Sequence, residues 1–353
     1  MVVHRRRRVV LAAFVALLVS LGPSHAVTAP DGGDDDQPTL ATFGIAPAQA
    51  TVADPRSFVT IGASPGATIN ENVAILNQSD FPLPLAVYAS EAVNDKKDGS
   101  LTLANRDELV DAGTWVTLEV DSVEVPAQSP QTGIGKVIVP FTLHIPDDAE
   151  PGDHVAAVVA SLTSTGEGAD GTPDLELEQR VGLRVYVTVA GPTKPGLTVT
   201  DLHTTYDPGP VWGLLGQGRT TVTYTVRNTG NVRLRVEPGT KVAGPFGLLP
   251  ATADGAPVAE LLPRGEVEQT VVVDGVWPLV RSTVTVTAVP GTAPDGAPVT
   301  LDPVVVSQGL WTVPWLWLLV LLVVVVVLTR RRLVALGRRV ARQVRAGRPP
   351  ATR

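Results

Sequence analysis

The sequence of 353 residues contains no cysteine, and this absence removes several kinds of protein at once. The chain cannot carry a disulfide framework, a thiol nucleophile or a lipid-modified cysteine near its N-terminus. Exported modules with small cores usually depend on disulfides. The domains of this chain must therefore be large enough to be stabilised by apolar burial alone.

Patterns that carry chemistry are also scarce. The three histidines beyond the N-terminal segment, His144, His154 and His203, show no metal-ligand spacing. No Gly-x-Ser-x-Gly or Ser-x-x-Lys motif stands in a supporting context. Glu150 and Asp153 are interpreted as carboxylates on a solvated hairpin, with no apolar enclosure to raise a pKa for acid–base catalysis. The sequence therefore predicts a protein that is not an enzyme and that binds no cofactor or metal.

Acidic residues are missing from both ends of the chain. Four arginines lie near the N-terminus and nine lie after residue 328, which leaves 15 of the 28 basic residues for the segment between. All 35 acidic residues lie in that segment, so its formal charge is −20. Nucleic acid is excluded as a direct partner by this charge, because like charges repel.

The N-terminus has the pattern of an export signal. Residues 5–8 are all arginine, residues 9–21 are an apolar run, and small residues lead up to Ala26. This arrangement predicts a signal peptide over residues 1–26 with cleavage after Ala26, the alternative being an uncleaved anchor. Residues 27–38 are rich in aspartate and glycine and are predicted to form an acidic linker.

The C-terminus predicts a single membrane crossing. Residues 311–328 carry no charge, and a helix of that length rises about 27 Å, close to the hydrocarbon core of a bilayer. A basic flank follows within the tail of residues 329–353: Arg330, Arg331, Arg332, Arg338 and Arg339. The positive-inside rule then predicts a single-pass plasma-membrane protein with an extracellular N-terminus and a cytoplasmic C-terminus.

Between the two ends, alternation of apolar and polar residues predicts β-strands. Val139, Phe141 and Leu143 share one face of a strand, while Thr142 and His144 share the other. Further alternating segments and turn sequences extend this pattern over residues 39–190. They predict a first β-sandwich.

A second module is predicted over residues 197–306, after a hinge of glycine and proline at residues 191–196. In its strands Val232 and Leu234 alternate with Arg233 and Arg235, which are expected to face outward. The predicted fold class is all-β: two immunoglobulin-like β-sandwich domains plus one C-terminal transmembrane helix.

The two modules share a turn motif. In the first, Asn77 closes one strand before a short polar turn and the next strand, and Asn228 has the same place in the second. An asparagine at this position is typical of a hairpin turn. The recurrence indicates two related immunoglobulin-like units.

Few exposed aromatic residues are available for ligand binding, since aromatics make up 5% of the chain. Trp115 alternates with Val116 and Leu118, which favour the core, so its ring is expected to face outward. Trp212 lies between Pro210 and a glycine in a loop. These two tryptophans are the candidate ligand contacts, and the alternative for each is ordinary packing.

The first module resembles a known family. Its turn segments are similar to those of the DUF916 domain, the peptidoglycan-binding domain of WxL-interacting proteins in Gram-positive bacteria. The resemblance covers residues 39–190 and is carried by Phe43-Gly44-Ile45-Ala46-Pro47, Ser64-Pro65-Gly66, Asn77-Gln78-Ser79-Asp80, Asp98-Gly99, Gly113-Thr114-Trp115-Val116, Val139-Pro140-Phe141 and the segment from Ile145 to His154. It departs from the family at Ala156-Ala157, where a Gly-Gly pair is common.

This resemblance implies a protein of the cell envelope that contacts peptidoglycan or a surface protein partner. The first functional hypothesis is therefore a non-enzymatic cell-surface anchor or binding protein. The alternative is a structural or signalling stalk of an envelope complex that reaches a cytosolic partner through its arginine-rich tail. The sequence does not determine the oligomeric state.

Overall fold

The computed structural model describes residues 41–166, 175–209, 216–313 and 315–346. From Ala41 onward the chain forms one compact unit. Its first ten strands are β1 (Phe43–Ala48), β2 (Val59–Ala63), β3 (Thr68–Asn77), β4 (Leu83–Asn94), β5 (Leu101–Leu103), β6 (Val116–Leu118), β7 (Ser122–Val125), β8 (Gly135–His144), β9 (Gly152–Gly166) and β10 (Leu175–Val189). The remaining elements are β11 (Leu197–Asp207), β12 (Gly218–Asn228), β13 (Leu234–Ala243), β14 (Ala251–Asp254), β15 (Val258–Leu261), β16 (Glu266–Val276), β17 (Val280–Thr292), β18 (Val304–Thr312) and the helix α1 (Trp315–Ala346).

The first ten strands form a sandwich of two sheets. One sheet has the order β1-β3-β8-β6, and the other has the order β2-β10-β9-β4-β5 with β7 also paired to β4. The pairing of β2 with β10 is parallel, and the other pairs are antiparallel. Side chains from both sheets enclose the core, among them Ile75, Phe141, Val158 and Val185.

A second sandwich follows with its own core. Its sheets have the orders β11-β12-β16 and β14-β13-β17-β18, with β15 also paired to β13. Its core contains Tyr224 from the first sheet and Leu234 and Val284 from the second, and each of these three residues has no exposed surface. The prediction of a mainly β protein with two sandwiches is confirmed.

The cause of this architecture is the period-two pattern in the sequence. Along β12, Val222, Tyr224 and Val226 are fully buried, while the threonines between them are partly exposed. Successive side chains of a strand point to opposite faces of the sheet, so each strand places one apolar row against the core. The sequence pattern therefore determines which face of each strand is buried.

Asn77 and Asn228 have matching hydrogen bonds in the two sandwiches. The side-chain amide of each donates to the carbonyl four residues later, at 2.8 Å in both cases, and to a carbonyl of another segment. The side-chain oxygen of each accepts from the backbone N–H two residues later. Both asparagines are completely buried, so these bonds satisfy amides that could not otherwise be paired.

The C-terminal helix contradicts the expected membrane span. Trp311, the first residue of the predicted span of residues 311–328, belongs to β18, and α1 begins only at Trp315. The apolar part of α1 ends at Leu328, just before Arg330, and rises about 21 Å, which is short of a hydrocarbon core of about 30 Å. Within the described part of the chain no helix is long and apolar enough to cross a membrane. The prediction of a single-pass plasma-membrane protein with its N-terminus outside and its C-terminus in the cytoplasm is therefore wrong.

Three predicted features lie outside the described residues. They are the signal peptide with its cleavage site at Ala26, the acidic linker of residues 27–38, and Trp212.

Candidate functional site

The two sandwiches meet at the start of β9. The backbone N–H of Asp153 donates to the carbonyl of Asn231 at 2.8 Å. The carboxylate of Asp153 accepts from the backbone N–H of Arg233 at 3.0 Å and from the Thr188 hydroxyl at 2.9 Å. Gly152 has a φ of 123°, and the position that a Cβ would take there coincides with the carbonyl of Asn231. Close approach of the two backbones therefore requires glycine at this position.

A buried ionic cluster surrounds this contact. Only 3% of the Arg233 side chain is exposed, and its guanidinium lies 2.8 Å from Glu260 and 3.5 Å from Asp153. The Tyr186 hydroxyl donates to Glu260 at 3.0 Å, and the guanidinium stands 4.2 Å from the centre of the Tyr186 ring. Burial, together with the negative charge of Glu260, raises the pKa of Tyr186 to about 12. A buried charge is strongly destabilising when its partner is removed. This cluster therefore favours the one relative orientation of the sandwiches that keeps the charges paired.

The loop after β4 makes a second connection between the sandwiches. The amide group of Asn94 donates to the carbonyl of Glu260 at 2.8 Å and accepts from the backbone N–H of Leu262 at 2.9 Å. The ammonium of Lys96 lies 2.7 Å from the carboxylate of Glu266. This hydrogen bond and the positive charge of Lys96 lower the pKa of Glu266.

The connecting segment of residues 191–196 is also held by hydrogen bonds. The side chain of Asn231 accepts from the backbone N–H of Lys194 at 2.6 Å and donates to the carbonyls of Pro151 and Pro192. The predicted hinge is therefore tied to the second sandwich rather than free to turn.

Between these contacts lies a cleft of about 350 Å³, which we call the junction cleft. Both sandwiches contribute side chains to its walls. Apolar side chains come from Ala92, Val93, Val110, Val155, Leu262 and Pro263. Cationic groups come from Lys96, Arg227 and Arg264, and carboxylates come from Glu91, Asp111, Asp153 and Glu266.

His154 lies in the wall of the cleft with both ring nitrogens paired. Its Nε2 lies 2.8 Å from the carbonyl oxygen of Glu150, which can only accept, so this nitrogen carries a hydrogen. Its Nδ1 lies 2.9 Å from both carboxylate oxygens of Asp111. Burial opposes the charge of the ring, but the hydrogen bond and the charge of Asp111, helped by the Glu150 carbonyl, outweigh burial and raise the pKa of His154. The site therefore favours the imidazolium form, which has two donors.

Glu91 fixes the segment that carries Asp111. Glu91 is 5% exposed, and its carboxylate accepts from the backbone N–H groups of Val110, at 2.8 Å, and of Asp111. A Cβ on Gly113 would lie 2.7 Å from the Glu91 side chain, so the chain passes close to this carboxylate. The Glu150 carbonyl thus holds the His154 ring, and Glu91 holds the backbone of Asp111.

This arrangement is suited to binding rather than to proton transfer. The carboxylate and imidazole resemble the pair that activates a nucleophile in some hydrolases. In His154, however, the nitrogen that would take a proton already donates to the Glu150 carbonyl. Among residues 41–166, 175–209, 216–313 and 315–346, no group of three or more acidic or histidine side chains is arranged to hold a metal ion.

The structure places Trp115 inside the first sandwich rather than on its surface. Only 7% of it is exposed, and its ring packs against His154 with the ring centres 4.7 Å apart. The expected stacking face for a ligand is therefore covered. The alternation argument does not apply because Trp115 belongs to a one-turn 3-10 helix, Ala112–Trp115, and not to a strand.

The basic flank lies on α1. Arg330, Arg331, Arg332 and Arg338 are exposed, and Arg339 follows in the same helix. The arginines at positions 330, 331, 332 and 338 do not line the junction cleft.

Two residues of the junction do not lie where the sequence pattern predicts. Arg233 is predicted to face solvent and Asp153 to lie on a solvated hairpin, and the structure buries both. The alternation that begins at Val232 and continues into β13 does point Arg233 and Arg235 away from the core, and 52% of the Arg235 side chain is exposed. Arg233 is nevertheless buried, because the first sandwich covers its outward side. No local sequence signal distinguishes these two arginines.

No family model and no curated protein matches this chain. Among solved structures the chain is similar to a chain of the chaperone–tip adhesin complex of CFA/I fimbriae biogenesis, with 10% identity, a TM-score of 0.36, and coverage of 76% of this chain and 99% of that chain. It is similar to the class 5 fimbriae chaperone CfaA, with 10% identity, a TM-score of 0.34 and the same coverage of both chains. It is also similar to the E. coli chaperone DraB, with 7% identity, a TM-score of 0.31, and coverage of 74% and 99%. Likeness at this level does not extend to function.

Proposed function

We propose that this protein is a binding protein without catalytic activity of its own, and that its ligand occupies the junction cleft. The observation that carries this proposal is a cleft of about 350 Å³ whose walls come from both sandwiches. The buried cluster of Asp153, Arg233 and Glu260 holds those walls in one arrangement. A preformed site loses less conformational entropy on binding than a flexible one.

The lining of the cleft supports a short peptide as the ligand. Arg227 and Arg264 offer donors for carboxylates, while Asp111 and Glu266 offer acceptors for amino groups. The apolar side chains of Val93 and Leu262 supply the remaining contact area. A cleft of this volume lies at the small end of ligand pockets, which suits a few residues of extended chain.

Two kinds of peptide carry these groups and agree with the resemblance to WxL-interacting proteins. The stem peptides of peptidoglycan are short and carry both carboxylates and amino groups. An extended segment of a surface protein partner carries the same groups. We place the peptidoglycan source first, because the cleft is too small for a folded partner to enter.

The test is co-sedimentation of the full chain with purified peptidoglycan sacculi. Arg227→Glu reverses a charge on the cleft wall, and Arg281→Glu makes the same change on β17, outside the cleft. We expect Arg227→Glu to weaken retention by about tenfold, the value of one lost charge-assisted contact. Arg281→Glu is expected to leave retention unchanged. Sacculi stripped of stem peptides by an amidase should no longer retain the wild-type chain.

A second arm addresses the partner protein. If no sacculi are retained, the wild-type chain and both variants are used to capture solubilised surface proteins. A protein captured by the wild type and by Arg281→Glu, but not by Arg227→Glu, places a partner segment in the cleft. Equal behaviour of both variants in both arms would falsify the assignment of the ligand to the cleft.

A further inference from the structure

The strand β16 forms one edge of its sheet. The sheet has the order β11-β12-β16, so β12 pairs with one side of β16, and among the described strands none pairs with its other side. The register with β12 is regular from Glu266 to Asp274. The outer side of such a strand presents backbone N–H and C=O groups with which a further strand can pair.

Part of this outer side already receives chain from the first sandwich. The backbone N–H of Glu268 donates to the carbonyl of Lys96 at 2.7 Å, so it points away from β12. Successive residues of an antiparallel strand direct their backbone groups to opposite sides, so the groups of Thr270 and Val272 also point outward. The edge of β16 can therefore accept added backbone, and it continues beyond the contact with Lys96.

A hollow of about 630 Å³ runs along this continuing edge, and we call it the edge hollow. One wall is formed by residues 268–272 of β16, and the other by residues 254–256. The two walls are joined, because the backbone N–H of Ala256 donates to the side-chain oxygen of Gln269 at 3.1 Å. Five residues of extended strand span about 17 Å. The edge hollow therefore has the shape needed for a short extended segment beside β16.

The outer side of β16 lacks the usual protection against pairing. Natural sheets commonly block an exposed edge with a lysine, a proline or a bulge. Residues 270–273 are Thr-Val-Val-Val and have none of these features. Residues of this type favour strands, and Val272 is 44% exposed on the outer face of the sheet. This part of β16 is therefore suited to pairing with another strand.

We infer that β16 binds an extended, basic segment of a partner protein, which adds to its sheet as a further strand. Carboxylates outnumber cations in the edge hollow, since Asp98, Asp254 and Glu268 line it together with Lys97. A lysine or arginine of the added segment can pair with these carboxylates, and cross-strand pairs of opposite charge stabilise a ladder. Backbone hydrogen bonds supply the affinity, and charge selects the segment. The site is separate from the junction cleft and does not depend on the ligand proposed there.

A second copy of the chain fits this edge less well than a basic segment. Antiparallel pairing of two copies about Val271 would place Glu268 of one copy opposite Asp274 of the other. Pairing about Thr270 would place Glu266 opposite Asp274 instead. Like charges directly opposite each other destabilise a pair of strands. A partner with positive charge avoids this repulsion.

The test measures binding of synthetic peptides to the full chain by fluorescence anisotropy. The probe is a fluorescein-labelled peptide of about eight residues that alternates lysine with valine. One control peptide has glutamate in place of lysine, and a second has every backbone nitrogen methylated, so that it cannot donate hydrogen bonds. Hydrogen exchange of the backbone amides, followed by NMR, locates the bound peptide on the protein.

Three variants of the protein complete the test. Thr270→Pro removes an outward N–H but no bond to β12, and proline is tolerated on such an edge. Val272→Lys adds a positive charge at an exposed position beside the edge hollow. Its matched control is Val289→Lys, because Val289 is 43% exposed on β17 and does not line the edge hollow.

We expect the basic peptide to bind and to slow the exchange of the amides of Thr270 and Val272. Thr270→Pro should weaken binding about tenfold, through one lost hydrogen bond and the bulk of the ring. Val272→Lys should weaken it about threefold by like-charge repulsion, while Val289→Lys leaves it unchanged. Both control peptides should bind more weakly than the probe.

The inference is overturned if the basic peptide does not bind, or if the methylated peptide binds equally well. Equal weakening by Val272→Lys and Val289→Lys would also overturn it, because the peptide would then respond only to the net charge of the protein. Protection of Thr270 and Val272 that appears without peptide and grows with protein concentration would instead assign the edge to a second copy.

Discussion

The carboxylate of Asp153 and the guanidinium of Arg233 lie 3.5 Å apart, although they belong to different sandwiches. Their side chains are 4% and 3% exposed. A charge buried to this extent is costly unless its partner is present. The pair therefore links the stability of each sandwich to its contact with the other.

Removing one member of this pair tests the linkage. Asp153→Ala leaves the buried guanidinium of Arg233 with Glu260 alone and also removes the acceptor of the Arg233 backbone N–H. The expected loss in the free energy of unfolding is about 3–5 kcal/mol, measured by urea denaturation. Asp274→Ala is the control, because it breaks the exposed Arg219–Asp274 pair, and it should change stability little. Similar losses for the two variants would contradict the role of burial.

His154 should make the stability of the protein depend on pH. Its folded-state pKa is raised by Asp111, so the stabilisation is complete below the ordinary histidine pKa of about 6.5 and is lost as pH rises through the raised value. The groups that act on the His154 ring are the Asp111 carboxylate and the Glu150 carbonyl, which raise its pKa, and the positive charge of Arg264, which lowers it. His154→Gln removes the titration. The difference in unfolding free energy between wild type and this variant should therefore be largest below about pH 6.5 and shrink as the pH rises above it.

A matched control for this titration is His144→Gln. His144 is exposed on β8 and lies 3.0 Å from the hydroxyl of Thr68. The pH dependence of the unfolding free energy of His154→Gln is compared with that of this variant, which makes the same substitution at an exposed position. A difference for His154→Gln that stays constant or grows with pH would show that the His154–Asp111 bond is not a charged one.

The turn asparagines should not tolerate aspartate. Asn228→Asp keeps the shape of the side chain but replaces two amide donors, which face the carbonyls of Val232 and Leu261, with an acceptor. Burying an acceptor against two carbonyls should cost about 2 kcal/mol or more of unfolding free energy. Asn105→Asp makes the same change at an exposed position and should be nearly neutral. Equal effects of the two substitutions would rule out a structural role for the amide.

Gly152 should be needed for the junction and not only for its own backbone angle. Gly152→Ala would drive a methyl group into the carbonyl of Asn231 and disturb the hydrogen bond from Asp153. Gly133→Ala also places a side chain at a positive φ, of 74°, but its Cβ would meet open space. Thermal or urea unfolding should show a loss larger for Gly152→Ala by about 2 kcal/mol, from the steric conflict alone. Equal losses would mean that the contact with Asn231 is not tight.

The strands could be predicted because their information is local. The pleat of a strand points every second side chain to the same face. The structure accordingly buries Val139, Phe141 and Leu143 in the core. The matching turns at Asn77 and Asn228 could also be predicted, since each asparagine pairs with backbone groups two and four residues later in the turn. The membrane span was predicted wrongly in part because β18 continues through Trp311, a pairing with β17 that no local sequence pattern reveals.

By itself, the sequence determined the β-sandwich architecture, the absence of disulfides and the face that each strand buries. Only the tertiary structure decided that Asp153, His154 and Arg233 are buried, that Trp115 packs inside, and that a cleft opens where the sandwiches meet. The physical reason is the range of each effect. Alternation along a strand shows which of its faces packs against its own core. Burial at the junction depends instead on contact with the other sandwich, whose residues lie about 80 positions away in the chain.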